Sequence, residues 1–235
     1  MYVIGHRGFP SEAPENTLPS FDLAIRAGAD FVEADLRATR DGVIICIHDA
    51  TLDRTTTGKG PVSEHTYREV AGLDAGSWFS PRYAGEHVPT LVELLSLAQG
   101  RAGLALDIKT PGIEERVLGQ VESWGFEDDA IIVSDHLEVL TRVKRLNPRI
   151  TLLAGMPSPS RKAVDAALAH GANIVSFYKR ELTWDLASYA HRRGLLVNAW
   201  PIDNAQEAIA AAQAQADFLT ANNPREARSA LNAGP

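Results

Sequence analysis

Short apolar runs alternate along this chain with longer stretches whose apolar residues recur at helical spacing. Strand-length runs fall at 2–5, 31–36, 104–109, 130–134, 150–154, 173–177, 195–200 and 217–220. Helical patterns lie near 17–27, 91–98, 114–124, 137–147, 160–170, 183–193, 204–214 and 224–232. Glycine punctuates the repeat: Gly28, Gly125, Gly171 and Gly194 each follow a helical pattern and shortly precede a strand. A glycine just past a helix end takes up the left-handed conformation that closes it. Thr90 and Asp203 suit the N-caps of the helices that follow them. Eight strand–helix units predict a (β/α)8 TIM barrel, with a doubly wound sheet as the alternative.

Two stretches fall outside the alternation. Residues 33–49 read EADLRATRDGVIICIHD. Side chains two apart on a strand share a face, so Glu33 and Asp35 point the same way. Asp41-Gly42 is a hairpin signal. It predicts that 43–48 returns antiparallel to 36–39 as a flap, bringing His48 back toward Asp35. Like charges so close are costly without a cation between them, so the stretch is either a solvated hairpin or a metal site with a histidine over it. The second exception, 50–89, is rich in Gly, Ser, Thr and Pro and lacks sustained periodicity. It is expected to form a small insertion subdomain beside the site mouth, within a single barrel domain spanning 1–235.

Composition narrows the chemistry. The 235 residues are 45% hydrophobic and carry a formal net charge of −7, which disfavours a general nucleic-acid surface. The single cysteine, Cys46, allows no internal disulfide and no cysteine zinc cluster, and it is expected to be a small buried residue. No basic, apolar leader and no membrane-length run is visible, so a cytoplasmic location without stable membrane association is expected.

Polar residues gather at the C-terminal ends of the predicted strands, where barrel active sites lie. His6 and Arg7 follow the first, and Glu33 and Asp35 end the second. Asp107 and Lys109 end the third, Asp135 and His136 follow the fourth, Lys179 follows the sixth, and Asn198 and Trp200 end the seventh. Glu33, Asp35 and Asp107 offer three hard oxygen ligands, a set suited to Mg²⁺, Ca²⁺ or Mn²⁺. Arg7 and Lys109 beside such an ion would complement a phosphate. His6 and His48 could serve its two ester oxygens as acid and base. Of the remaining histidines, His170 and His191 are expected to be structural in last helical turns, and His65 and His87 exposed in the insertion. His136 is a weaker substrate candidate.

With these residues in view, the chain resembles the glycerophosphodiester phosphodiesterase family. The resemblance runs through GHRGFPSEAPENT, EADLRATRDG, IHDATLDRTTTGKG, GSWF with VPTLVELL, LDIK, and LLVNAWPIDN to ADFLTANNP. It implies a metal-dependent (β/α)8 barrel that cleaves deacylated phospholipids to glycerol 3-phosphate and an alcohol. It also implies that His6 and His48 are the acid–base pair, and that Glu33, Asp35 and Asp107 hold one divalent cation. Arg7 and Lys109 become phosphate contacts, and Glu15 and Asn16 organise the site. Trp78, Phe79 and Trp200 could pack on choline or the glycerol chain, or belong to the core. The chain departs from the family pattern at Asp107 (usually Glu), at Asp135 (usually Phe after the serine) and at Thr220-Ala221 (usually Thr-Asp). Asp-x-Lys is the pattern of the related sphingomyelinase D enzymes, the alternative reading. Two further rivals are a Schiff-base lysine at Lys109 and a non-catalytic phosphate-binding barrel.

Overall fold

The computed structural model describes residues 1–233. Its strands are β1 (Tyr2–Gly5), β2 (Phe31–Ala38), β3 (Ile44–Cys46), β4 (Gly103–Ile108), β5 (Ala130–Ser134), β6 (Thr151–Gly155), β7 (Ile174–Tyr178), β8 (Leu196–Ile202) and β9 (Phe218–Ala221). All but β3 pair in parallel, in the order β1-β2-β4-β5-β6-β7-β8-β9, and β9 returns to β1. The result is a closed eight-stranded TIM barrel.

The helices are α1 (Leu18–Arg26), α2 (Tyr67–Val70), α3 (Leu91–Ala98), α4 (Glu114–Ser123), α5 (Leu137–Leu146), α6 (Arg161–Ala169), α7 (Trp184–Arg192), α8 (Ala205–Gln213) and α9 (Pro224–Ala233). All except α2, which lies in the insertion, cover the outside of the barrel. The four glycines singled out by the repeat all have positive φ, so the punctuation read from the sequence is the punctuation of the chain. Thr90 caps α3 through a reciprocal box with Glu93. The cap of α8 is one residue later than expected: Asn204, not Asp203, accepts from the Glu207 N–H.

Two apolar layers position the site. Inside the barrel Ile4, Ala105, Ile131, Leu153, Ile174 and Phe218 pack together, while Val32, Leu104, Leu106, Ile132 and Val175 face the helices. The inner layer plugs the barrel and leaves the strand C-termini as the floor of an open cleft.

The flap pairs with β2 in antiparallel fashion, Leu36 opposite Cys46, though its strand is shorter than the 43–48 expected. Cys46 is buried. Residues 50–89 have their own small core, with Leu52, Val62, Val70, Ala75 and Val88 packed on Ile45 and Ile47 of the flap. Periodicity missed this unit because side chains hold it together. The Asp74 carboxylate alone accepts from the backbone N–H groups of Gly76, Ser77 and Gly85 and from the Ser77 hydroxyl. His65 and His87 are half-buried rather than exposed, bonded to the Pro61 carbonyl and to Glu93. His191, in the last turn of α7, is held by Asp217.

Candidate active site

Parallel register places Asp35 directly beside Asp107 on the neighbouring strand, with Glu33 one step below on the same face. One oxygen from each of the three carboxylates can be chosen so that all lie within 4.8 Å of one another, and all three residues are buried. Burial, then the charges of Asp35 and Asp107, push the Glu33 carboxyl well above its usual range. Burial also lifts Asp107, to about 7, although Lys109 opposes the shift. Burial would raise Asp35 too, yet Lys109 and Arg7 hold it below the ordinary range. Lys109 Nζ lies 3.0 Å from Asp35 and 2.5 Å from Asp107, and these carboxylates overcome its burial and keep it firmly protonated. A lysine held charged in this way is a poor Schiff-base nucleophile.

The turn after β1 is built for close approach. Gly8 has φ +89°, and a Cβ there would stand 2.4 Å from Ser20 Oγ. Arg7 and Asn16 adopt positive φ without being glycine (54° and 56°), a strained conformation of the kind concentrated at functional sites. Contacts on all sides hold that strain. The Arg7 backbone N–H donates to Glu33 at 2.6 Å, and the Asn16 N–H donates to the Arg7 carbonyl. The Asn16 amide grips Asp35 twice, donating to its carboxylate and accepting from its backbone N–H. Arg7 Nη1 donates to Glu15 at 2.8 Å. Its Nε is buried 3.2 Å from Asp35 Oδ2 without hydrogen-bond geometry.

Each of the two histidines has its Nδ1 tied down. His48 Nδ1 lies 2.7 Å from Asp49 Oδ1. Asp49 is gripped by Arg54, whose guanidinium also binds both oxygens of Glu15. A continuous chain of polar contacts thus runs Arg7–Glu15–Arg54–Asp49–His48 and stitches the insertion to the strand β1 turn. His6 Nδ1 lies 2.7 Å from Asn222 Oδ1. The orientation of that amide follows from its other end: Asn222 Nδ2 is 2.6 Å from Asp203 Oδ1, a carboxylate that can only accept. Asn222 Oδ1 is therefore the acceptor for His6, Nδ1 carries the proton, and Nε2 is left bare. Burial first, and Arg7 second, depress His6 to about 4.

His6, Arg7, Glu33, Asp35, His48, Asp107, Lys109 and Trp200 all line one cavity. Trp200 is half-exposed at its rim, 6.2 Å from the His6 ring between centroids and edge-on to Tyr178. Asp135 lines the same cavity. Asn198 lines it as well, whereas the remaining candidates lie elsewhere. His136 sits ahead of α5, nearest to Glu138. Lys179 is consumed by Asp203 and Glu207. Asn198 is buried and bridges Ser176 and Thr220. Trp78 and Phe79 belong to an aromatic cluster of the insertion with Tyr83. Ala221, where the family pattern has Asp, is wholly buried, and the neighbouring Asn222 carries the polar contact to His6. Arg54 carried no role in the sequence reading, although it lies within the quoted IHDATLDRTTTGKG stretch.

Residues 6–226 match the model of the glycerophosphoryl diester phosphodiesterase family. A glycerophosphodiester phosphodiesterase of Caldanaerobacter subterraneus subsp. tengcongensis is 33% identical over 232 residues, covering 94% of each chain. One from Bacillus subtilis is 32% identical over 225 residues, covering 86% of this chain and 76% of that one. Among solved structures, an Oleispira antarctica phosphodiesterase in complex with the product sn-glycerol-3-phosphate superposes with a TM-score of 0.91 at 28% identity, covering 99% of this chain and 97% of that one. The glycerophosphodiester phosphodiesterase of Agrobacterium tumefaciens gives 0.89 at 29% identity, covering 97% and 99%.

Proposed function

The chain belongs to the glycerophosphoryl diester phosphodiesterase family, and on that premise we propose how this enzyme works. It hydrolyses glycerophosphodiesters, deacylated phospholipids such as glycerophosphocholine, to glycerol 3-phosphate and an alcohol. His6 and His48 are its acid–base pair, and Glu33, Asp35 and Asp107 hold one divalent cation. The observation that carries this reading is the shared cavity: two histidines with anchored Nδ1 atoms stand over three buried carboxylates.

The donor set suits such an ion. Three hard oxygens within 4.8 Å can be reached together by a cation whose ligand distances are roughly 2.0–2.6 Å. With no cysteine or histidine among them, they favour Mg²⁺, Ca²⁺ or Mn²⁺ over zinc or copper. Burial first, and the neighbouring carboxylates after it, push Glu33 and Asp107 upward, and a bound cation would offset both. When bound, the ion supplies positive charge beside the phosphate oxygens.

The remaining steps fall to side chains of this chain. Arg7 and Lys109 hold the phosphate. His6, neutral and bare at Nε2, accepts the proton of the attacking oxygen, either water or the substrate's own neighbouring hydroxyl; the second route first gives a cyclic glycerol phosphate, which water then opens to glycerol 3-phosphate. His48, oriented by Asp49, delivers a proton from Nε2 to the departing alcohol oxygen. Trp200 packs against the organic part of the substrate. The sphingomyelinase D-like alternative draws no support from the relatives, which bear the glycerophosphodiester name. The deciding experiment measures glycerol 3-phosphate release from a panel of glycerophosphodiesters with and without chelator. Turnover abolished by chelator and restored by Mg²⁺, Ca²⁺ or Mn²⁺ is expected, whereas full activity of exhaustively demetallated protein would refute the cation assignment.

A further inference from the structure

The wall of the cavity across from Arg7 holds a carboxylate with no counterpart. Asp135 follows β5, two residues beyond Val133, which pairs in register with Asp107. It lines the cavity, and among the described residues its side chain has neither a hydrogen-bond nor an ion-pair partner. The carboxylate is nonetheless accommodated by its surroundings. It lies across Gly155 at the end of β6, where a Cβ would stand 1.8 Å from Asp135 Oδ1. Gly155 has no positive φ to explain it as backbone geometry; its bare Cα is the space the carboxylate fills.

A negative charge here opposes the proposed substrate. The cationic side chains of the cavity are already engaged, Arg7 with Glu15 and Lys109 with Asp35 and Asp107. A further carboxylate repels a phosphodiester unless the substrate brings its own positive charge to that wall. The same rim presents Trp200, half-exposed and paired edge-to-face with Tyr178, which stands beside it in register. An exposed indole face attracts an alkylammonium through its ring quadrupole. A carboxylate and an aromatic face on one cavity form a receptor for a cation, whereas a neutral polyol gains nothing from the charge.

We propose that Asp135, with Trp200, is a specificity determinant that favours glycerophosphodiesters whose alcohol carries an ammonium group, primary or quaternary, over those with a neutral head group. The inference rests on the glycerophosphodiesterase reading above. The test compares kcat/KM for glycerophosphoethanolamine, glycerophosphocholine and glycerophosphoglycerol in the wild type and in Asp135→Asn, which keeps shape and removes charge. The wild type should prefer the two cationic substrates, and this preference should weaken as salt is raised. In Asp135→Asn the cationic-to-neutral ratio should fall about two- to fivefold, in the range of a partly exposed charge contact. Trp200→Leu should reduce the choline substrate more than the ethanolamine one. A wild type that prefers the neutral diester, or a ratio unmoved by Asp135→Asn, overturns the proposal. Equal loss on all three substrates with weaker cation binding also overturns it, by making Asp135 part of the metal site. Wild-type enzyme that turns over none of the three refutes the glycerophosphodiesterase reading itself, and this inference with it.

Discussion

His6 Nδ1 and Asn222 Oδ1 are 2.7 Å apart, although 216 residues separate them in the chain. The contact fixes the tautomer of a half-buried imidazole, so Asn222 is a positioning residue for the proposed base. Asn222→Ala should lower kcat/KM about ten- to hundredfold, the usual cost of losing a partner that orients a functional histidine. Asn222→Asp should instead put a carboxylate against the ring and favour its charged form. Because His6 must be unprotonated to accept a proton, the acidic limb of the kcat/KM profile should move toward neutral pH in Asn222→Asp. A profile superimposable on that of the wild type would show that His6 is not the base.

Removing the cation should leave a protein whose stability depends on pH in a definite direction. Asp107 is raised to about 7 from 3.8. Its contribution to stability is therefore present below about 3.8 and lost as pH rises through about 7. His6, depressed from 6.5 to about 4, works the opposite way, its contribution being lost as pH falls through that window. The cation-induced gain in Tm separates the two, since in the proposed site the ion is held by the triad and not by His6. That gain should grow between about pH 4 and pH 7. At a hundredfold excess over Kd the ion is worth about 2.7 kcal/mol, or roughly 5–10 °C for a chain of this size. Calorimetry with and without Mg²⁺ or Ca²⁺ measures it, and Asp107→Asn should abolish most of it. A gain independent of pH, or retained in Asp107→Asn, would place the ion elsewhere.

Arg54 binds Glu15 and Asp49 at once, and so couples the strand β1 turn to the residue that orients His48. Arg54→Ala should reduce kcat about tenfold or more with little change in KM, because alignment is lost while the phosphate contacts remain. Arg54→Lys should not rescue it, since an ammonium cannot span two carboxylates as a planar fork does. A change confined to KM would make Arg54 a substrate contact instead.

The barrel was legible because its signals are local. Strand runs, helical spacing and the glycines that follow four of the helices lie within one repeat unit. The same holds for the flap, set by Asp41-Gly42, and for the carboxylates, because residues two apart on a strand share a face and register brings Asp35 beside Asp107. What the sequence concealed was contact between distant segments. Asn222 reaches His6 only after β9 closes the ring against β1, and nothing local marks it as that histidine's partner. Asp203 looked like a cap, but Lys179 and Asn222 claim its carboxylate and Asn204 caps instead. The insertion is stapled by Asp74 and by its core on the flap, neither of which leaves a period.

The division of labour between the two histidines is open to a leaving-group test. His6 bears its proton on the far nitrogen and is held neutral by burial, which fits a base. His48 lies on the flap connection, half-buried, with Asp49 behind it to stabilise positive charge on the ring. That fits an acid, which must protonate an alkoxide that leaves poorly at neutral pH. General acid–base help is worth about 10²–10⁴-fold, so His6→Ala and His48→Ala should both be crippled on glycerophosphocholine. On the p-nitrophenyl ester of glycerol 3-phosphate, whose leaving group needs little protonation, His48→Ala should recover most of its loss. His6→Ala should not, because its defect lies in activating the nucleophile. Recovery in His6→Ala would exchange the roles. If neither recovers and both lose affinity for glycerol 3-phosphate equally, the imidazoles position the phosphate and the proton transfers belong to other groups.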